Sequence, residues 1–153
     1  MAGRSASAFE LAVRSISRRE RTVAEVRSFL AQREVEPAEG EEAIERLVEL
    51  GQLDDRRYAE LFEQDKRELS GWGPGRIREA LIEKGVAPSI AEDACKGESA
   101  GDLTERAAAL LERRDGRLDD DAGRNRALAF LARRGYELEV AYAAVRLAER
   151  RTA

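Results

Sequence analysis

The chain has 153 residues, 42% hydrophobic and 38% charged with three prolines and twelve glycines, which suits a compact domain or a few helical modules and excludes a disordered or collagen-like polymer. Its 27 Lys+Arg against 31 Asp+Glu give a net charge of −4, and residues 1–50, 51–101 and 102–153 carry −2, −3 and +1, so no third is a basic module holding nucleic acid by phosphate neutralisation alone. Histidine is absent and Cys95 is the only cysteine, which removes His-based triads, His metal ligands, intrachain disulfides and cysteine-rich zinc sites.

Apolar residues recur at helical spacing and no segment alternates like a strand. Residues 1–10 lack a charged stretch followed by an apolar run, and no run spans a bilayer, so a cytoplasmic protein is expected. The first predicted helix covers 6–19. Thr22 with Glu25 three residues later forms a capping box for the second, 23–33. The third, 38–50, carries Ile44, Leu47 and Val48 and stops at Gly51. Asp54 caps the fourth, 55–70, which carries Tyr58, Phe62 and Leu69 and stops at Gly71. Pro74 opens the fifth, 75–84, which stops at Gly85; the sixth, 88–96, holds Cys95 as a small apolar residue near its end. The seventh covers 102–114. The eighth, 121–134, carries Leu128, Leu131 and Ala132 and stops at Gly135 before the ninth, 137–150.

Nine helices divide into three groups of three, and three segments support the division: residues 26–35, 77–86 and 127–136. Leu30, Leu81 and Leu131 occupy one equivalent place, and Arg33, Lys84 and Arg134 another. Val35, Val86 and Tyr136, spaced by 51 and 50 positions, then lead into the third helix of each group. The expected fold is all-α, three tandem three-helix repeats over 1–51, 52–98 and 99–153. Such triplets bury too little alone, so stacking them joins their cores into an elongated, curved body, with a monomer as the simplest state. Glu34 departs from the pattern, because the other two repeats carry glycine there, and it leaves the turn after the second helix open to question.

Clusters of possible chemistry reduce to structural roles. Gly71-Trp72-Gly73-Pro74-Gly75 lacks the Lys-Ser/Thr ending and preceding strand of a phosphate loop, and is expected to be a tight helix connection. Trp72 is expected to plug the junction between repeats one and two, or else to project as a contact anchor. Asp54-Asp55 and Asp119-Asp120-Asp121 resemble magnesium-binding clusters, but both precede helices and are expected to serve as caps. No catalytic residue, metal ligand or cofactor motif emerges, and no enzymatic activity is expected.

Three segments together resemble the RecX family: Gly51-Gln52-Leu53-Asp54-Asp55-Arg56-Arg57-Tyr58-Ala59, Gly71-Trp72-Gly73-Pro74-Gly75-Arg76-Ile77-Arg78, and Leu131-Ala132-Arg133-Arg134-Gly135-Tyr136. The resemblance runs from about Phe9 to Arg150. It implies a regulator of DNA repair, recombination and the SOS response that binds the groove of RecA filaments on DNA and restrains RecA recombinase, ATPase and coprotease activity. The candidate partner-binding residues are Arg27, Arg33, Trp72, Arg76, Arg78, Lys84, Arg124, Arg126, Arg133 and Arg134, whose cations suit RecA carboxylates or DNA phosphates within the filament. The alternative is a direct DNA-binding protein, because the helices around Gly135 have helix-turn-helix spacing. The acidic balance opposes it.

Overall fold

The start and stop signals place the helices in the computed structural model, which describes residues 6–152. Residues 1–5, part of the N-terminal expectation, and Ala153, the end of the third expected repeat, lie outside the described residues. Nine helices and no strand occur among the described residues: α1 (Ala8–Arg18), α2 (Val23–Gln32), α3 (Pro37–Glu49), α4 (Asp55–Ser70), α5 (Pro74–Glu83), α6 (Pro88–Ala94), α7 (Ala100–Arg113), α8 (Asp121–Arg133) and α9 (Leu138–Thr152). Ser7, Thr22, Asp54, Ser99 and Asp120 each accept a first-turn backbone N–H, and Thr22 with Glu25 completes the capping box.

The strongly packed helix pairs fall within three consecutive triplets. The first triplet buries Ala12, Val26, Leu30, Ala43, Ile44, Leu47 and Leu53; the second buries Tyr58, Ala59, Ile77, Leu81, Val86 and Ala91. The third is rich in alanine, with Ala107, Ala108, Ala141, Ala144 and Ala148 around Leu111, Leu131 and Tyr136, and these small side chains let α7 and α9 pack closely. The chain's accessible surface of 9737 Å² exceeds the roughly 7,700 Å² expected of a compact monomer of this mass. The triplets therefore share few contacts with one another.

The second helix of each triplet ends in the same Schellman turn. Val35, Val86 and Tyr136 donate their N–H to the carbonyls of Leu30, Leu81 and Leu131, while Glu34, Gly85 and Gly135 donate to Ala31, Ile82 and Ala132. Glu34 preserves the turn by adopting φ 61°, a left-handed conformation that costs a β-carbon-bearing residue about 1–2 kcal/mol. The turn questioned from sequence is thus intact.

Adjacent triplets meet through one recurring arrangement, in which the N-terminus of a second helix sits on the Schellman turn of the next triplet. Buried Thr22 donates its hydroxyl to the Lys84 carbonyl at 2.7 Å, and the Val23 N–H reaches Asp55 Oδ1 at 2.9 Å. At the next junction Gly73 N–H donates to the Arg134 carbonyl at 2.6 Å and Gly75 N–H to the Gly135 carbonyl at 3.0 Å. Glycine is required here: a Cβ on Gly73 would stand 2.6 Å from the Gly135 carbonyl carbon, and one on Gly135 would strike the Arg76 backbone.

Candidate functional site

Four of the ten candidate residues converge where α4, α5 and the α8–α9 turn meet: Trp72, Arg76, Arg133 and Arg134. Trp72 is half-buried, edge-on to Phe62 with ring centroids 6.3 Å apart, and the Arg76 guanidinium lies 4.0 Å above its ring. This corrects the expected position of the indole: Trp72 packs within the second triplet and adjoins the third, because its own carbonyl accepts from Arg106 Nη1 at 2.9 Å. Arg76 Nη1 reaches the Arg133 carbonyl at 3.3 Å, and Arg134 Nη1 reaches the Ser70 carbonyl at 2.7 Å. Arg134 is therefore part of the joint, and its guanidinium also lies 4.8 Å from the Phe130 ring. A shallow cavity of about 360 Å³ opens beside it, with Arg76 and Arg133 on its walls and Glu79 and Glu137 at its edge.

Arg106 and Tyr136 complete the joint, and sequence reasoning gave neither a partner-facing nor a joining role. Arg106 forms a two-pronged pair with Glu98 at 2.8 and 2.7 Å and donates to the Tyr136 hydroxyl at 2.7 Å. Tyr136 in turn donates to the Gly71 carbonyl at 3.0 Å. Burial pushes the Tyr136 phenol up to about 12, so it stays protonated and keeps donating across the physiological range. The signal available in sequence was the change from valine at 35 and 86 to tyrosine at 136.

The remaining candidates are dispersed. Arg27 is held by Glu41, and Arg124 by Asp121 and Glu149. Arg33 lies 3.8 Å over Phe29, and the Lys84 ammonium 5.7 Å from the Phe62 ring centre. Arg76, Arg78, Arg126 and Arg133 are exposed and, among the described residues, have no carboxylate within 4.0 Å. Of these four, Arg76 also stacks on Trp72 and donates to the Arg133 carbonyl.

The carboxylates resolve as structural groups. Asp54 accepts from Arg56 and Arg57 N–H, Asp55 from Val23 N–H, and Asp120 from Gly123 N–H. Burial holds the Asp55 carboxyl above its ordinary range, opposed by that Val23 hydrogen bond. Asp119 pairs with Arg117 and Asp121 with Arg124. No cluster of three or more metal-ligating side chains occurs among the described residues, and no described helix is long and apolar enough to cross a membrane.

Comparison with known proteins follows the same division. A family model described as the RecX first three-helix domain matches residues 8–47, and one described as the RecX second three-helix domain matches 54–94. Regulatory protein RecX of Trichlorobacter lovleyi is 34% identical over 134 residues, covering 84% of this chain and 87% of the relative. That of Thermus thermophilus is 36% identical over 142 residues, covering 93% and 92%. The relative in Halalkalibacterium halodurans is longer: 38% identity over 109 residues covers 71% of this chain and 41% of that protein. The crystal structure of RecX from Lactobacillus salivarius superposes with a TM-score of 0.84 over 93% of this chain and 94% of the other, at 23% identity, which shows a shared fold.

Proposed function

The chain belongs to the RecX family of regulatory proteins, and from that premise we propose that it binds RecA assembled on DNA and inhibits the filament stoichiometrically, without covalent chemistry. The observation that supports this reading is the set of exposed arginines with no carboxylate partner, Arg76 and Arg78 on α5 and Arg126 and Arg133 on α8, carried by neighbouring triplets that are hydrogen-bonded into one joint. Arginine forks suit carboxylates on a protein filament and phosphates within it. Contacts distributed over a stack of triplets engage adjacent protomers at once, and linked contacts gain affinity beyond their individual strengths. The acidic balance of the chain favours protein contacts over bare DNA.

The test is the ATPase rate of the cognate RecA on single-stranded DNA as this protein is titrated from sub-stoichiometric to equimolar ratio. Loss of ATPase with little binding to bare DNA is expected, and charge reversal at Arg78 and Arg133 (R78E/R133E) is expected to relieve it without loss of helix content. No effect at equimolar ratio overturns the reading. Tight, steeply salt-dependent binding to bare DNA would instead assign the protein to direct DNA binding through the helices around Gly135.

A further inference from the structure

The two internal junctions repeat one interface, and among the described residues the first and third triplets each carry half of it unpaired. Counting twelve residues back from Glu34, Gly85 and Gly135 reaches Thr22, Gly73 and Gly123, three equivalent positions that are all buried. Thr22 is covered by the Lys84 carbonyl of the second triplet, and Gly73 by Arg134 and Gly135 of the third. Gly123 meets no further triplet among the described residues. It is covered by the chain's own connection between α7 and α8: a Cβ at Gly123 would run into the Arg117 carbonyl, as one at Gly73 would run into the Gly135 carbonyl. That connection, residues 114–120, replaces the short link 71–73 of the second triplet. It is anchored by the Leu118 side chain on the third core, by Arg124 Nη1 on the Leu118 carbonyl at 3.2 Å, and by Asp120 Oδ1 accepting from Gly123 N–H at 2.7 Å. Helix α8 is also three residues longer at this end than α2 and α5.

The opposite end carries the complementary half. In the inner junctions the residue in left-handed conformation is glycine, and contact is close enough that a Cβ on Gly85 would overlap Ala24 and one on Gly135 would overlap Arg76. The first triplet keeps the same turn, with the same hydrogen bonds, but holds a glutamate side chain there. No other triplet packs on this turn among the described residues: Arg33 and Glu34 are exposed and Val35 is only half-buried, whereas Val86 and Tyr136 at the equivalent place are 2% and 4% exposed. Glutamate is tolerated where no triplet docks, at a conformational cost that glycine would not incur.

We propose that the α2–α3 turn and the N-terminus of α8 are complementary halves of a head-to-tail interface between two copies of this chain, held shut by Glu34 at one end and residues 114–120 at the other. Closed ends fit a repeat stack, whose terminal units must not template further stacking. The mass in solution tests this. The wild-type chain, Glu34→Gly and a variant with residues 114–123 replaced by the Gly-Trp-Gly link of 71–73 are each expected to stay at the 17.0 kDa monomer. Combining E34G with the link replacement, or with Gly123→Thr, which supplies the residue found at 22 and displaces the Arg117 carbonyl, is expected to give concentration-dependent multiples of that mass. End-to-end association of the wild-type chain, or both combined variants remaining monomeric with helix content intact, overturns the proposal. Gly85→Glu places the same side chain at the inner junction and tests the blocking step without any new assembly. A larger radius of gyration is expected, and an unchanged radius removes the role given to Glu34.

Discussion

A single arginine of the third triplet carries a polar contact across the joint to the second. Arg106 is four-fifths buried, yet its fork is neutralised by Glu98 and its remaining donors meet the Trp72 carbonyl and the Tyr136 hydroxyl, so no buried polar side-chain atom lacks a partner among the described residues. Breaking such a pair exposes the desolvation cost that its partners had offset. Cys95 is half-buried against the second core and forms no disulfide among the described residues. Burial pushes its thiol up to about 11, with Glu63 adding to the shift and Arg78 opposing it. A group whose pKa is raised keeps its proton to higher pH, so near pH 8 the reactive thiolate is roughly a hundredth as abundant as in an ordinary thiol. Alkylation by iodoacetamide at pH 8 is expected to be slower in the folded protein by about that factor and to recover in denaturant. An equal rate in both states would show that Cys95 is not shielded.

Among the elements, α2 shows most directly how one residue joins local structure to the stack. Thr22 Oγ1 accepts from Glu25 N–H at 3.1 Å, closing the capping box, and donates to the Lys84 carbonyl at 2.7 Å. Replacing it with valine keeps the shape and removes both bonds. A lost cap costs about 1 kcal/mol and an orphaned carbonyl about 1–3 kcal/mol, so Thr22→Val should lower the denaturation free energy by roughly 2–4 kcal/mol while Thr22→Ser loses much less. A larger loss in Thr22→Ser than in Thr22→Val in urea titrations would mean that the threonine methyl, not the hydroxyl, holds the junction. The capping box was legible in sequence, as were the four glycine stops, which all adopt positive φ, and the nine helices, whose ends fall within two residues of expectation. Cap chemistry and the 3.6-residue apolar period are local, so they leave a local trace. The junctions are not local: they use the backbone carbonyls of Lys84, Arg134 and Gly135, which any residue supplies. Of the two places expected for Trp72, the plug between the first and second repeats gives way to packing beside the third, and Arg134 donates to the Ser70 carbonyl.

At the scale of the whole molecule, each triplet has its own core and the junctions alone fix the angle between neighbours. Gly73 lies at one of these junctions, where an added side chain meets the backbone of the next triplet. A methyl there would meet the Gly135 carbonyl oxygen at 2.6 Å and the Tyr136 nitrogen at 2.8 Å, backbone atoms that cannot swing aside, so the second and third triplets must part. Gly73→Ala is expected to leave helix content unchanged while raising the radius of gyration in solution scattering. If inhibition of RecA depends on arginines of both triplets engaging adjacent protomers, loosening the joint reintroduces the ordering cost that the rigid stack avoids. The variant should then need several-fold more protein for half-inhibition, although Arg76, Arg78, Arg126 and Arg133 are all still present. A loosened stack that inhibits as well as the wild type would place the activity on one triplet alone, and charge reversal restricted to Arg78 or to Arg133 would then show which.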